Sequence, residues 1–417
     1  MIDTESLPIE TLVSILKQID GVTLGKCRRV CKKWKDYIDG ADWLWHELCK
    51  KDFKHSSKIA KEKCGIDCDW YHIYKNLKMW SDVTSFDINV EEYQTFSHHD
   101  ENHALDIQYN ILPLNQYGSE TNMYDMSVLK RLPMGIRPCL KIANNDYATI
   151  ILHKYGLFIQ KTIDNITNMP EAFFKADNFI LSGDTVYFLN NRDVYQCDIA
   201  KDNRNMTAKL ITRCDYNIKE IKYDNNVLHI FTDCGKIVKV FKDNSTEVKP
   251  INGLPEWVKQ IKYVRAINDK NFVCYSGNFF KVETDDYQHS YLDFPPITAV
   301  FFYADIVLIG TPNGEILLYR LSSQKGALKP IFENLAVLPE GKYAVQLDVC
   351  ERKCGPVIVA ATFFEIYLIE IDFFPNDKQY RKRPKIKLDM YKRLFKLDER
   401  MRSYVAKFRY KQAFRRV

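Results

Sequence analysis

The sequence predicts a mainly β protein with an α-helical N-terminal domain, and three observations support this fold class. Apolar residues recur at helical spacing through the first 80 residues. From about residue 81 they alternate instead, as in half-buried strands, and the alternating stretches share one layout. The predicted order is a helical domain at 1–50, a helical linker at 51–80, a repeated β domain at 81–375 and a basic tail helix at 376–417.

The bulk composition is that of an ordinary globular protein. The chain has 417 residues, of which 46% are hydrophobic and 27% charged. It is longer than one compact core usually supports, so at least two domains are expected, and disordered or collagen-like classes are excluded. The opening residues lack a signal-peptide core and no run is long enough to span a membrane. We therefore expect a cytoplasmic or nuclear protein whose twelve cysteines are reduced and in many cases lie in the core.

The first helix is predicted from one apolar face and its end signals. The face consists of Ile9, Leu12, Ile15, Leu16 and Ile19. Pro8 suits a first turn, where its missing N–H costs nothing. Asp20-Gly21 is expected to end the helix, and Thr23 to cap the next one.

The second helix is predicted as one amphipathic segment from Thr23 to Gly40. Its apolar positions follow one another at steps of three and four: Leu24, Cys27, Cys31, Trp34 and Ile38. Trp43 and Trp45 come directly afterwards. A helix this short is not stable alone in water, so either the rest of the chain or a second protein must cover this apolar load.

The order of these residues resembles the F-box family. The matching positions are Leu7-Pro8, Glu10, Leu12, Ile15-Leu16, Asp20, Leu24, Arg28, Val30-Cys31, Trp34 and Leu44-Trp45, without a gap. Lys26-Cys27 departs from the small or apolar pair of many members. The segment "DWYHIYKNLKMW" also looks like the aromatic helix that often follows an F-box. The resemblance covers about 80 residues, roughly a fifth of the chain, and its motif is specific.

The resemblance implies that a Skp adaptor covers the apolar face and links the chain to a cullin ubiquitin ligase. The adaptor-binding residues carried over by position are Leu7, Pro8, Leu12, Ile15, Leu16, Leu24, Val30, Cys31 and Trp34. Excess apolar surface on a helical hairpin also indicates a partner site. The alternative is that these helices only pack on the C-terminal domain, and Trp43 and Trp45 could equally pack internally against the linker helix.

The β domain is predicted as a β-propeller with six or seven blades. Six units of three alternating strands run between about residues 137 and 372, roughly 39 residues apart, after a looser unit from Val83 to Leu132. This spacing is typical of a propeller and resembles the WD-repeat architecture loosely, since Trp-Asp dipeptides are absent. A large β-sandwich or two barrels would not require such regular spacing.

The sequence offers no catalytic, metal or cofactor site. The pairs Cys64/Cys68 and Cys350/Cys354 have a spacing that zinc sites tolerate, but no second ligand pair is evident, and the second pair reads as a hairpin turn. The histidines of "SHHDENH" are expected in a polar loop. We therefore predict a receptor subunit of a ubiquitin ligase without catalytic activity, whose propeller holds an unidentified target protein; a hydrolase with a metal in the central channel is disfavoured.

The tail carries the basic charge of the chain. Residues 376–417 contain 16 Lys and Arg against 4 Asp and Glu, a net charge of +12, so the remaining 44 and 50 give about −6. The run Arg381, Lys382, Arg383 and Lys385 is a possible nuclear import signal. An apolar stripe from Met390 to Phe408 predicts a helix from about Leu388 that packs on the chain, on a partner helix or on an anionic membrane surface. The alternative function is a scaffold or nucleic-acid-associated protein that uses this tail, although nucleic acid is an unlikely partner for the acidic remainder.

Overall fold

The computed structural model describes most of the chain up to residue 372. The described residues are 8–64, 68–95, 105, 107, 111–116, 120–126, 130–136, 139–161, 171–200, 206–303 and 305–372. The predicted tail helix, the import run, Leu7 and the histidines His98, His99 and His103 lie outside them and stay predictions. None of the helices in the described segments is long and apolar enough to cross a membrane.

The N-terminal region is helical, as predicted. Its helices are α1 (Ile9–Leu16), α2 (Gly21–Cys27), α3 (Lys32–Gly40), α4 (Asp42–Asp52), α5 (Ser56–Lys63) and α6 (Trp70–Met79), followed by a 3₁₀ helix (Trp80–Ser85). Helices α1 to α3 lie within the predicted domain 1–50, and α4 extends two residues beyond it. Helices α5 and α6 lie within the predicted linker 51–80.

The predicted single helix from Thr23 to Gly40 is wrong, because the chain breaks into α2 and α3 at residues 28–31. Cys31 is extended, with φ −155° and ψ 168°, and its sulfur accepts a hydrogen bond from the Trp34 N–H at 3.5 Å. Cys31 therefore caps α3 instead of lying inside a helix. The three-and-four spacing survives the break, which explains why periodicity alone did not reveal it.

The predicted cap of the second helix is also wrong. Asp20, not Thr23, is the N-cap of α2: its Oδ1 accepts from the Thr23 backbone N–H at 2.9 Å, and its Oδ2 accepts from the Thr23 hydroxyl at 2.7 Å. These hydrogen bonds lower the pKa of Asp20, the backbone one most. Aspartate is among the strongest N-cap residues, so it takes the position ahead of threonine.

The β domain forms seven sheets in the described part of the chain, which we call blades one to seven. Blade one contains β2 (Ile111–Gln116), β3 (Glu120–Asp125) and β4 (Lys130–Ile136); blade two, β5 (Lys141–Asn144), β6 (Ala148–His153), β7 (Gly156–Lys161) and β8 (Glu171–Phe174); blade three, β9 (Asn178–Ser182), β10 (Thr185–Asn190), β11 (Asp193–Asp198) and β12 (Ala208–Arg213).

The remaining blades follow in chain order, apart from one strand. Blade four contains β13 (Ile218–Asp224), β14 (Val227–Thr232), β15 (Lys236–Phe241) and β16 (Thr246–Pro250); blade five, β17 (Tyr263–Asn268), β18 (Asn271–Ser276), β19 (Phe279–Glu283) and β20 (Gln288–Tyr291); blade six, β21 (Ala299–Phe302), β22 (Ile306–Gly310), β23 (Glu315–Arg320) and β24 (Glu333–Val337); blade seven, β25 (Gln346–Glu351), β26 (Pro356–Ala361), β27 (Glu365–Asp372) and β1 (Asp87–Thr95).

These sheets form a propeller, because their first strands meet in succession around one centre. Contacts link β5 to β9, β13 to β17, β17 to β21 and β21 to β25, while β9 contacts β13. The ring is closed by β1, which pairs antiparallel with β27 from Asp87↔Asp372 to Thr95↔Glu365. The six predicted units correspond to blades two to seven. The looser unit predicted from Val83 to Leu132 is divided between two blades. Its first strand, β1, completes blade seven, and the strands after it form blade one.

A buried carboxylate joins the linker to the propeller. Glu351, at the end of β25, accepts from the Trp80 indole N–H at 3.2 Å and from the Tyr303 hydroxyl at 2.8 Å. Asn76 of α6 donates to the backbone carbonyl of Arg352 at 2.7 Å. Burial raises the pKa of Glu351 above its usual value, although the hydrogen bonds act in the opposite direction. Helix α6 and the 3₁₀ helix are therefore fixed on blade seven by buried polar contacts as well as by packing.

The shorter linker helix, α5, contacts blades four, six and seven at one face of the propeller. Lys58 Nζ lies 3.2 Å from Asp224 of blade four, the Ser56 hydroxyl donates to Asp305 of blade six at 2.9 Å, and Lys63 Nζ lies 2.9 Å from Asp348 of blade seven. We call this the linker face: it carries the turns between first and second strands. The opposite distal face carries the turns between second and third strands and the connections between blades.

The cysteines follow the prediction in part. Burial raises the pKa of Cys197 and of Cys214 to about 11, as expected for core thiols that are poor nucleophiles. The expectation that all twelve are reduced is wrong, because Cys64 and Cys68 form a disulfide between the end of α5 and the start of α6. The zinc alternative for this pair is thereby also set aside.

The buried carboxylate gives a first prediction. Replacing Glu351 by Ala leaves the Trp80 and Tyr303 donors buried without this acceptor, so the free energy of unfolding should fall by about 2–3 kcal/mol; Glu351→Gln keeps an acceptor and should cost less. Because the folded-state pKa is raised, the stabilisation is fully present below the ordinary value of 4.5 and is lost as pH rises through the folded value. Urea unfolding across pH should show this decline in the wild type and not in Glu351→Gln. A loss no greater than that of the exposed Glu340→Ala control would contradict the role of the joint.

The disulfide gives a second prediction. The double variant Cys64→Ser and Cys68→Ser should unfold with about 2 kcal/mol less free energy, the loop-closure value for so short a ring. A reductant should lower the melting temperature of the wild type towards that of the double variant, which should not respond. Alkylation of both cysteines in the unreduced, denatured protein, detected by mass spectrometry, would rule the disulfide out.

Candidate functional site: the N-terminal apolar surface

The helical hairpin at the N-terminus uses part of its apolar face for its own core. Leu12 and Leu16 of α1 and Leu24 of α2 are all buried, together with Ile38 of α3 and Leu44 of α4. Three of the nine residues carried over as adaptor contacts therefore hold the helices together. Charged substitutions at these three positions would test folding before they tested binding.

The other predicted contacts that lie within the described residues keep part of their surface exposed. Pro8, Ile15 and Val30 are exposed, and Val30 keeps 55% of its surface because it lies in the turn between α2 and α3. Cys31 and Trp34 are half-buried. We call these exposed and half-buried residues of the N-terminal domain the N-terminal apolar surface.

Two further residues belong to this surface: Val22, which sequence reasoning missed, and Trp43, for which it left both a partner and internal packing open. Val22 of α2 is 44% exposed and Trp43 of α4 is 45% exposed, and Lys17 Nζ lies 5.1 Å from the centroid of the Trp43 ring. The signal that could have found Val22 is its position two residues before the buried Leu24, which places it on another side of the helix. Large apolar side chains exposed around one small domain indicate an interaction surface.

Trp43 and Trp45 differ in their burial. Trp45 is 1% exposed, donates from its indole N–H to the Ile38 carbonyl at 3.2 Å and packs against Tyr71 and Tyr74 of α6. The Tyr74 hydroxyl in turn donates to Asp52 at 2.8 Å. Trp45 therefore attaches the first helices to the linker helix, and only Trp43 is left for a partner.

The turn between α2 and α3 is held by a charged contact. Arg28 pairs with Asp39 of α3, and its guanidinium carbon lies 3.8 Å from the centroid of the Tyr71 ring. Burial would raise the pKa of Asp39, but the hydrogen bond and charge of Arg28 outweigh it and lower the pKa. This contact links the start of the turn to α3 and to Tyr71 of α6.

The distal face of the propeller carries a second group of exposed apolar residues. They lie in turns or connections of different blades: Tyr155, Tyr216, Trp257, Leu292 and Phe364. Several charged groups on this face are paired within the chain, among them Lys342 with Glu365 and Lys236 with the Tyr216 hydroxyl at 2.9 Å. Apolar side chains on a rigid rim suit contact with another protein.

The cysteine pair of blade seven behaves as predicted. Cys350 is buried at the end of β25, and Cys354 is half-buried in the turn before β26. Burial raises the pKa of Cys350 well above its usual value. The pair is therefore part of a hairpin between two strands, which agrees with the structural interpretation made from its sequence.

Comparison with known proteins identifies the N-terminal domain. A family model described as F-box-like matches residues 4–51. The chain carries an F-box-like domain. Mitogen-activated protein kinase kinase kinase A of Dictyostelium discoideum is 34% identical over 74 residues, which are 18% of this chain and 8% of that protein. The match spans less than a tenth of that relative, so it concerns a small segment of each chain.

Similar chains among solved structures include β-propeller domains. The WD40 β-propeller domain of Doa1 is 8% identical, with 70% of this chain and 99% of that chain covered and a TM-score of 0.46. The β-propeller domain of Cps50 (Swd1) from Myceliophteria thermophila is 10% identical, with 67% and 99% covered and a TM-score of 0.45. These similarities concern the fold of the propeller alone.

The tryptophan pair gives a third prediction. Trp45→Ala should lower the free energy of unfolding by about 3–5 kcal/mol, because it removes a buried aromatic side chain and its hydrogen bond. Trp43→Ala should change it by less than about 1 kcal/mol, since nearly half of that side chain is already in water. Chemical unfolding of the two variants makes the comparison, and similar losses in both would show that the assignment of Trp45 to the core is wrong.

Proposed function

We propose that the protein is the substrate-recognition subunit of a Skp/cullin/F-box ubiquitin ligase. Its F-box-like domain docks a Skp adaptor, and its propeller binds a target protein. The observation that carries this proposal is the N-terminal apolar surface: a domain whose buried residues already belong to the core shared with the propeller still exposes Ile15, Val22, Val30 and Trp43. Such a surface is stabilised by a partner rather than by the rest of the chain.

The arrangement of the two domains supports separate binding roles: the F-box-like domain for the adaptor and the propeller for the target protein. The linker helices occupy the linker face through Lys58, Ser56 and Lys63, so the distal face is directed away from them. That face presents aromatic side chains from several blades on a rigid rim. We propose that the target protein binds there.

The mechanism is one of proximity. A receptor that holds a lysine-bearing target beside a charged ubiquitin carrier raises the effective concentration of the reacting groups without taking part in the chemistry. The chain itself then needs no nucleophile or metal. We propose the cytoplasm, the nucleus or both as its location.

A matched pair of valines tests the adaptor contact. Val30→Asp should weaken binding of a purified Skp adaptor by about tenfold or more, because it places a charge in the centre of an apolar contact. Val248→Asp is the control: Val248 is 57% exposed on the outer strand of blade four, against 55% for Val30. Calorimetric titration of the full chain should show a loss only for Val30→Asp, with unchanged circular dichroism in both variants.

A wild-type chain that binds neither the adaptor nor, through it, a cullin would refute the ligase assignment. If the adaptor binds, the target can be sought among proteins that accumulate when the chain is removed, by quantitative mass spectrometry. Accumulated proteins should then bind the distal face, and a Trp257→Asp variant on that face should reduce the interaction while leaving adaptor binding unchanged.

A further inference from the structure

Blade five carries two large apolar side chains on the distal face that are more than half exposed. Trp257, in the connection that enters the blade, is 54% exposed, and Leu292, in the connection that leaves it, is 64% exposed. Pro295 and Pro296 follow in the second connection and are exposed as well. Together they form an apolar surface that no described part of the chain covers.

Both connections are fixed on the turn between β18 and β19, which lies between them. The Trp257 ring packs edge-on against Phe279, with 6.5 Å between the ring centroids, and the Phe294 backbone N–H donates to the Asn278 carbonyl at 2.7 Å. At the tip of the turn, a Cβ added to Gly277 would meet no heavy atom within 4 Å. The exposed tryptophan and leucine thus stand on either side of an open floor, and we call this feature the blade-five notch.

A carboxylate adjoins each wall of the notch. Glu256 precedes the tryptophan and Asp293 follows the leucine; both are exposed, and neither forms an ion pair with another described residue. Lys259 and Lys262 lie further along the first connection, and Lys262 Nζ lies 5.0 Å from the centroid of the Tyr263 ring. The apolar walls therefore supply most of the binding free energy, and the two carboxylates favour an occupant with cations beside its apolar side chains.

We propose that the chain's own basic tail, residues 376–417, occupies the blade-five notch. The tail has the matching chemistry, since it combines a net charge of +12 with an apolar stripe from Met390 to Phe408. It follows Asp372, where β27 ends at the linker face. Residues 373–389 can extend to about 55 Å, which is enough to pass around a propeller whose strands are about 20 Å long. Because the tail is tethered, its effective concentration at the notch is high.

The linker face fits the tail less well, although the tail leaves from that side. Leu328 is 97% exposed there, but it stands between the exposed Lys325 and Lys329, in a loop (321–332) without Asp or Glu. These cations repel a basic segment. Aspartates of that face already hold the basic helix α5.

Occupation of the notch gives the tail a regulatory effect. The tail and a target protein exclude one another from the distal face, so the receptor is open to a target only when the tail has left the notch. This consequence rests on the proposed function, in which the target binds that face. The contact between the tail and the notch does not depend on it.

Zero-length cross-linking of the full chain tests the contact. A carbodiimide joins a carboxylate to an ammonium group only when the two touch, so mass spectrometry should detect linkages from Glu256 or Asp293 to lysines of residues 387–417. Their yield should not depend on protein concentration, because the contact lies within one chain. Trp257→Ser with Leu292→Ser should lower this yield by about fivefold or more, since the apolar walls are lost while both carboxylates remain.

The control is a second double variant on the outer strands of blades three and four. Leu210→Ser with Val248→Ser removes apolar side chains that are 47% and 57% exposed, and it should leave the yield unchanged. Equal yields in the two double variants would overturn the proposal. It would equally be overturned if the tail lysines were linked only to other carboxylates, or if the yield rose with protein concentration, which would place the tail on a second copy.

These outcomes are separate from those of the proposed function. If the wild type binds a Skp adaptor and no tail lysine is linked to the notch, the tail contact is overturned and the proposed function stands. If the linkages form as expected but the wild type binds neither the adaptor nor a cullin, the tail contact stands and only its competition with a target is refuted.

Discussion

The rest of the structure depends on one shared core, in which helix α6 is packed on both sides. On one side Tyr74 contacts Trp45 of the F-box-like domain; on the other, Asn76 and the following Trp80 contact blade seven. Buried residues from Leu12 in the first helix to Ile371 in the last strand belong to one continuous cluster. A helical domain this small would have little stability alone, so its folding is coupled to that of the propeller.

The closure of the ring is the second constraint on this junction. Strand β1 follows directly from the 3₁₀ helix and pairs with β27, so the chain closes the propeller immediately after it leaves the linker. The same blade therefore holds the linker helices on its inner strand and the closing strand on its outer edge. Separating the F-box-like domain from the propeller would strain the strand pairing that completes the ring.

The sequence was informative about the type of each element and less informative about its neighbours. Alternation and regular spacing found blades two to seven because every strand pair there, apart from that between β1 and β27, is local. The sequence did not reveal that β1 belongs to blade seven. A strand that pairs with its neighbour in the sequence and a strand that pairs with a distant one show the same alternation of apolar and polar residues. The break before α3 was hidden for a similar reason: Cys27, Cys31 and Trp34 keep helical spacing, although Cys31 is extended.

The candidate site shows the same limit. Leu12, Ile15 and Leu16 share one apolar face of α1, and periodicity cannot tell which of them meets the chain's own core. The structure separates them, because the core takes Leu12 and Leu16 and leaves Ile15 in water. The resemblance to the F-box family had assigned all three residues to the adaptor contact. What distinguishes a folding residue from a binding residue here is the packing of α2 and α4 across the hairpin, which is a property of the tertiary structure.

The rigid junction also decides how a receptor of this design would act. A flexible linker would let the propeller sample many orientations, and the effective concentration of a bound target would be spread over that volume. Here the buried Glu351 contacts and the ion pair between Lys63 and Asp348 fix one orientation. The distance between the F-box-like domain and the distal face is then set by the thickness of the propeller itself. In the proposed function, this geometry would select the target lysines that are presented, and the shape of the junction would contribute to specificity as much as the rim residues do.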